Sequence, residues 1–169
     1  MNPGATSPNP GATSPGDSRI TGDSRVTADD IYGFLTQEMP AIKATPTDGE
    51  SQDEAMASAL GDALTKKFAG CNLASFDIGS WTFQQRGAYK DGVVIEADAP
   101  DSAEKTIGNY SVTIDHLSAD MTPSQTPQAS ALDKGVAVFV AGKVKTIDVF
   151  SMPDWKLLVD VTLENCEFR

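Results

Sequence analysis

Histidine chemistry in this chain depends on one residue, because His116 is the only histidine among 169 residues. A nucleophilic triad needs a base beside its serine or cysteine, but no GxSxG motif occurs and neither cysteine is near His116 in the sequence. His116 alternates in phase with Val112 and Ile114, which predicts one shared strand face. Adjacent Asp115 would then point away from the imidazole. The pattern favours a hydrogen-bonded structural histidine over a catalytic base.

Carboxylates are abundant, and glycoside hydrolysis needs only two of them. The chain has 24 Asp and Glu residues, so their spacing singles out no pair. Calcium loops of the DxDxDG type, CxxC pairs, GxxxxGK[ST] and GxGxxG are all missing from the sequence. We therefore expect no catalytic residue, no metal and no cofactor, and a carboxylate-dependent hydrolase is the weakest of three functional hypotheses.

The charge and the apolar pattern of the chain argue against two classes of partner, nucleic acids and membranes. The chain has 13 Lys and Arg residues and a net charge of −11, so nucleic-acid phosphates would be repelled. No window approaches the roughly 18 consecutive apolar residues of a membrane span, and the first residues do not have the pattern of a signal peptide. We expect cytoplasmic synthesis, and no nucleic-acid or membrane partner. In that compartment Cys71 and Cys166 are predicted to be buried free thiols rather than a disulfide.

The first 27 residues contain an internal duplication. Residues 2–8 (NPGATSP) recur as residues 9–15, and GDSRIT at 16–21 is followed by GDSRVT at 22–27. Such Pro-, Gly-, Ser- and Thr-rich repeats bury too little apolar surface to offset backbone ordering, which predicts a disordered arm over 1–27. The repeats are either a duplication in a tolerant tail or an arm that docks on a neighbouring subunit. In the second case Ile20 and Val26 would be its apolar anchors.

Two helices are predicted after the arm. Thr27 is a candidate N-cap for a helix that ends near Pro40, with Asp29 and Asp30 in its first turn. Ser51 and Glu54 form a capping box for a second helix, whose apolar residues repeat every three or four positions as far as residue 68.

From residue 73 onward the apolar period changes from 3.6 to 2, which indicates strands. A bulge is expected at Gly79-Ser80, a hairpin turn at Asp91-Gly92, and a strand over 110–117. Residues 119–131 contain two prolines and are predicted to form a loop.

The stretch from Lys134 to the C-terminus carries the clearest strand alternation. Val136, Val138 and Val140 alternate before a predicted break at Gly142-Lys143, and the face from Trp155 to Leu163 is predicted to be buried. On the opposite face, Asp160, Thr162 and Glu164 are expected to be solvated or to face a sister subunit. The last residues, Cys166 and Phe168, are predicted to pair with another copy at a strand edge.

These patterns predict an α+β fold: two N-terminal helices on a mainly antiparallel, meander-like sheet of about six strands, as one domain over 28–169 after the disordered arm. We expect a non-enzymatic structural or assembly protein, forming homo-oligomers or contacts with other structural subunits, with a viral particle or phage tail subunit as its concrete form. The alternative is a cytoplasmic binding module for a small apolar ligand held between sheet and helices by Met39, Met56, Phe68, Phe76 and Trp81. The candidate subunit contacts are Ile20, Val26, Asp160, Thr162, Glu164 and Phe168.

Overall fold

A computed structural model of the chain describes residues 25–73, 81–89, 92–99 and 104–169. These ranges form an α+β fold in which three α-helices accompany a strongly curled, half-barrel sheet of nine strands. The helices are α1 (Ala28–Glu38), α2 (Gln52–Phe68) and α3 (Thr126–Ser130). The strands are β1 (Arg25–Val26), β2 (Asn72–Leu73), β3 (Trp81–Tyr89), β4 (Gly92–Asp98), β5 (Glu104–Ile107), β6 (Tyr110–Met121), β7 (Ala137–Val138), β8 (Val140–Met152) and β9 (Lys156–Phe168).

Both predicted helix starts are confirmed. The Asp30 backbone N–H donates to Thr27 Oγ1 at 3.2 Å and the Thr27 N–H donates to Asp30 Oδ2 at 2.8 Å, which makes a complete capping box. Ser51 and Glu54 form the same reciprocal pair at 3.1 and 2.7 Å. These contacts span three residues, so the local sequence is enough to specify them. No helix within the described ranges is long and apolar enough to cross a membrane.

The sheet is mixed, and the meander prediction is wrong. The strand order is β1-β2-β8-β9-β6-β4-β3-β7, with β5 paired to the start of β6. β3 pairs antiparallel with β4, and β8 with β9, as short connections predict. However, β6 and β9 are adjacent and parallel, because the chain between them passes through α3, β7 and β8 before it returns. The alternation of apolar and polar residues predicts which side chains are buried, but it does not predict which strands pair.

The strand β8 runs as one strand through Gly142, so the chain does not break at Gly142-Lys143, but its pairing with β9 shifts register between Ala141 and Lys143. A Cβ added at Gly142 would lie 2.5 Å from Cys166 Sγ on the neighbouring strand. The glycine therefore leaves room for the thiol across the hairpin and does not end the strand. Cys166 and Cys71 are both buried free thiols, as predicted.

The core lies between the helices and one face of the sheet, and the predicted buried face of β9 is largely confirmed. Leu157, Val159, Val161 and Leu163 are each 0% exposed. Trp155 is the exception: its side chain is 58% exposed, because the residue belongs to the turn before β9. In that turn it has a positive φ of 59°.

Helix α2 lies against β8 and partly covers that strand's outer edge. Thr65 Oγ1 accepts the Ile147 N–H at 2.8 Å and donates to the Ile147 carbonyl at 3.1 Å. Gly61 permits the close approach, since a Cβ there would lie 3.2 Å from Val149 N. The two Thr65 hydrogen bonds thus replace part of the missing strand pairing, and Gly61 lets the helix lie close enough for them to form.

The segment 119–131 is more regular than the loop that was predicted. Residues 119–121 complete β6, a 3-10 turn spans Pro123–Gln125, and α3 follows with Ala129 0% exposed. Both helical segments carry a proline in their first two positions, where its missing N–H costs no hydrogen bond. Proline therefore starts these short helices rather than excluding them.

Several predictions concern residues outside the described ranges: the repeats before residue 25, the bulge at Gly79-Ser80 and the side chain of Phe76. Residues 25–27, which the sequence assigned to the arm, belong to the folded part. Arg25 and Val26 form β1 alongside β2, and Thr27 caps α1.

Candidate functional site

The face of the sheet opposite the core, here called the open face, carries polar side chains in two rows that cross four strands. Cross-strand register aligns these rows, so residues far apart in the chain become neighbours. The first row is Asp148, Asp160, His116 and Asp98, on β8, β9, β6 and β4. The second row, in the same strand order, is Thr146, Thr162, Ser118 and Glu96.

His116 belongs to the open face because of a bulge that the sequence did not reveal. Along β6, Val112 and Ile114 are fully buried, and the next buried residue is Leu117 rather than residue 116. The pairing with β9 shifts between Ile114 and His116, which leaves Asp115 as the extra residue. The prediction that His116 shares a face with Val112 and Ile114 is therefore wrong.

Carboxylates from the neighbouring strand surround the imidazole of His116. Its Nδ1 lies 3.2 Å from Asp98 Oδ1, and its Nε2 lies 3.7 Å from Glu96 Oε2. The hydrogen bond to Asp98 orients the ring, as expected for a structural histidine. Glu96 and Asp98 alternate on β4 in the sequence, but only the register of β4 on β6 brings them to His116.

Asp160 on β9 is the carboxyl group most affected by this environment. Burial raises its pKa to about 6; His116 opposes that shift, whereas Asp115 and Asp148 add to it. Asp160 and Asp148 are directly opposite each other on β9 and β8. Two carboxylates in a partly buried cross-strand pair repel, so near neutral pH this row holds unfavourable charge.

A groove of about 590 Å³ borders the open face at the far end of β6 and β9. Its lining carries charges of both signs and hydroxyl groups, including Asp120, Lys145, Ser118 and Thr162. Asn165, which also lines it, lies where the pairing of β6 with β9 shifts a second time, this time with the extra residue on β9, and has a positive φ of 54°. Asparagine tolerates this conformation better than most residues do.

A smaller groove of about 320 Å³ lies between α2 and the outer edge of β8. Glu54, Asp62 and Asp148 contribute carboxylates to its lining. Beyond Lys143, no strand within the described ranges pairs with this edge of β8, so the edge is bordered by the helix and by acidic side chains.

The end of β8 and the turn that follows it, here together called the hairpin tip, expose large apolar side chains. Phe150 is 48% exposed, Met152 is 45% exposed and Trp155 is 58% exposed. The Trp155 ring meets Tyr110 edge to face at 5.4 Å, and the Tyr110 hydroxyl donates to Asp53 Oδ1 at 2.7 Å. Burial, with this hydrogen bond and the carboxylate charge, raises the pKa of Tyr110 to about 12.

The structure separates the candidate subunit contacts instead of bringing them together. Val26 is only 1% exposed and pairs opposite Leu73 in its own chain, so it cannot anchor on a neighbour in this fold. Phe168 is half-buried, pairs opposite Val140, and its N–H donates to Gln125. Ile20 lies outside the described residues.

The prediction that the last strand is a free edge is wrong. Strand β9 lies between β8 and β6, so pairing within the chain already uses both of its backbone edges, and Cys166 is 0% exposed. Asp160, Thr162 and Glu164 are half-buried on the open face, where they remain candidates for either solvation or a subunit contact.

The arrangement around His116 has no complete catalytic set among the described residues. The second ring nitrogen faces a carboxylate, and no serine, threonine or cysteine there is hydrogen-bonded to it. No group of three or more metal-ligating side chains converges within those ranges either. Of the residues proposed to hold an apolar ligand, Phe68 and Trp81 are 3% and 4% exposed and pack in the core, and neither lines the grooves described above.

Comparison of the chain with models of known protein families, with curated proteins and with solved structures finds no significant match.

Proposed function

We propose that this protein is a non-enzymatic assembly protein whose subunits contact one another through the hairpin tip, as a subunit of a viral particle or a phage tail does. One observation carries the proposal: Phe150, Met152 and Trp155 are all about half exposed within six residues. Single exposed apolar side chains are ordinary, but several together at one turn mark an interaction surface.

The tip is also held in place before any partner binds. The edge-to-face contact with Tyr110 and the Tyr110–Asp53 hydrogen bond restrict where the Trp155 ring can go. Tryptophan and tyrosine are enriched among the residues that dominate binding energy at interfaces, and a pre-ordered side chain loses little entropy on association. This geometry therefore favours a protein contact over a solvated turn.

The outer edge of β8 is a second candidate contact, since strand edges can add strands from other chains. Its groove carries the carboxylates of Glu54, Asp62 and Asp148, and a second copy would bring the same charges. Like charges facing each other across an interface cost several kcal/mol by order of magnitude. Phe150 of the tip also lines this groove, but Met152 and Trp155 do not, and we therefore assign self-association to the tip.

The same argument applies to the open face. If two sister subunits met there, the carboxylates of Asp148 and Asp160 in one subunit would face the same carboxylates in the other. In the proposed assembly Asp160, Thr162 and Glu164 are solvated.

Measuring the mass of the full chain by sedimentation over a range of concentrations tests the proposal. We expect the wild-type chain to form oligomers, and we expect the variant Phe150→Ser/Trp155→Ser to be a folded monomer. Val136→Ser/Phe139→Ser is the matched control, because those residues are 43% and 50% exposed but lie away from the tip.

A wild-type chain that stays monomeric at every concentration would contradict self-assembly. Dissociation of the control variant with no effect of the tip variant would move the contact to the segment before β8.

A further inference from the structure

The structure describes the last three residues of the second repeat, Arg25-Val26-Thr27. Arg25 pairs opposite Asn72 and Val26 opposite Leu73, which adds β1 in parallel to β2. Val26 is 1% exposed and belongs to the same core cluster as Ile31 of α1. Thr27 then caps α1. Every residue of the Arg-Val-Thr triplet thus has a structural role: a strand pair, a core side chain and a helix cap.

The first repeat presents the same chemistry six residues earlier. Residues 16–21 (GDSRIT) differ from residues 22–27 (GDSRVT) only in isoleucine for valine. Ile20 is one methylene larger than Val26 and has the same β-branch, so it suits a strand position equally well. The helix cap differs: Thr27 has Asp30 three residues later, whereas Thr21 has Ser24. The first copy can therefore replace the second copy as a strand. It cannot form the capping box, which needs a carboxylate three residues after the threonine.

We propose that the N-terminal strand exists in two registers, one with Arg25–Val26 as β1 and one with residues 19–20 in its place. In the second register Ile20 fills the core position opposite Leu73, residues 21–26 loop out, and Thr27 still caps α1. β1 is the terminal strand of the sheet, so its pairing with β2 is the one strand pairing that the exchange disturbs. Loops of six residues are common, and closure cost rises slowly with length.

The exchange changes the reach of the chain that precedes the sheet. In the second register that segment is six residues shorter, which corresponds to roughly 20 Å of extended chain. Val26 is also released from the core. The two registers give one sequence two lengths of N-terminal segment, whether or not the hairpin tip forms the subunit contact proposed above.

Limited trypsin digestion of the full chain with mass spectrometry of the fragments tests the exchange. Arg19 and Arg25 are preceded by the same three residues, so their intrinsic cleavage is closely matched. Cleavage requires local opening, and an arginine in a paired strand is protected. Wild-type protein is expected to be cut after Arg19 about tenfold faster than after Arg25, relative to the same protein digested in urea.

The variant Val26→Ser should favour the second register. We expect it to remain folded, with cleavage after Arg25 now faster than after Arg19 and a melting temperature lowered by less than about 5 °C. Ile20→Ser is the matched control: it should melt as wild type does, and cleavage after Arg25 should be no faster than in wild type. Ile20→Ser/Val26→Ser should expose both sites and melt at least about 5 °C below Val26→Ser.

Two outcomes would overturn the exchange. One is a folded Val26→Ser variant that is cut equally fast after both arginines. The other is a melting temperature of the double variant equal to that of Val26→Ser, since Ile20 would then contribute nothing when Val26 is lost. The melting comparison decides the question even if proteolysis of the single variant is too fast to resolve.

Discussion

The two faces of β9 share one backbone but differ in how their side chains are specified. On the core face, Val161 and Leu163 are 0% exposed and packed on all sides. On the open face, Asp160 and Thr162 are half-buried, and their neighbours are other polar groups placed beside them by strand register. The first face stabilises the fold through burial, whereas the second collects charge that the fold tolerates. Substitutions in and beside β9 test this difference.

The largest expected effect comes from the core face. Leu163→Ala should lower the free energy of unfolding by about 3 kcal/mol, since it removes buried methyl groups and leaves a cavity. Thr162→Ala, its neighbour on the open face, should change stability by no more than about 0.5 kcal/mol. Urea denaturation measures both, and comparable losses would contradict the contrast between the faces.

Gly142→Ala tests the close contact between β8 and β9 and should cost about 1–3 kcal/mol, because the new methyl group meets Cys166 Sγ. Adding Cys166→Ala should recover part of that loss in a double-mutant cycle. Gly33→Ala is the control: a Cβ there has nothing within 4 Å, so alanine should stabilise α1 slightly. If the two glycine substitutions have equal effects, the thiol is not the obstacle.

The smallest effect is expected on the open face and depends on pH. The folded-state pKa of Asp160 is raised to about 6, above its ordinary value of 3.8. Between these two pH values the folded chain holds a proton on Asp160 that the unfolded chain has released. Stability from this group is therefore present below about pH 4 and is lost as pH rises through 6.

Asp160→Asn should raise the melting temperature relative to wild type at pH 7.5 and leave it nearly unchanged at pH 4. Asp133→Asn, at an exposed position, serves as the control and should show no such pH-dependent difference. An Asp160→Asn variant that is less stable than wild type at pH 7.5 would show that the carboxylate is favourable in its row.

Local patterns predicted α1 and α2 well, because each cap and the residues it needs lie within three positions, as Thr27 and Asp30 do. They failed where one residue is inserted into a strand. The bulge at Asp115 reverses the side of His116, and nothing in its alternating neighbours marks the insertion. Local patterns also missed the first row of the open face, because its alignment depends on the register of four strands. That row is Asp148, Asp160, His116 and Asp98.

By itself, the sequence determined the caps of α1 and α2 and the buried alternation from Leu157 to Leu163, because each follows from spacing within one element. Tertiary structure alone decided that β9 lies beside β6 in the interior of the sheet, that Gly142 faces a thiol, and that Val26 belongs to the core. Strand partners are chosen by packing among distant segments, and those contacts have no signature in the spacing of either segment.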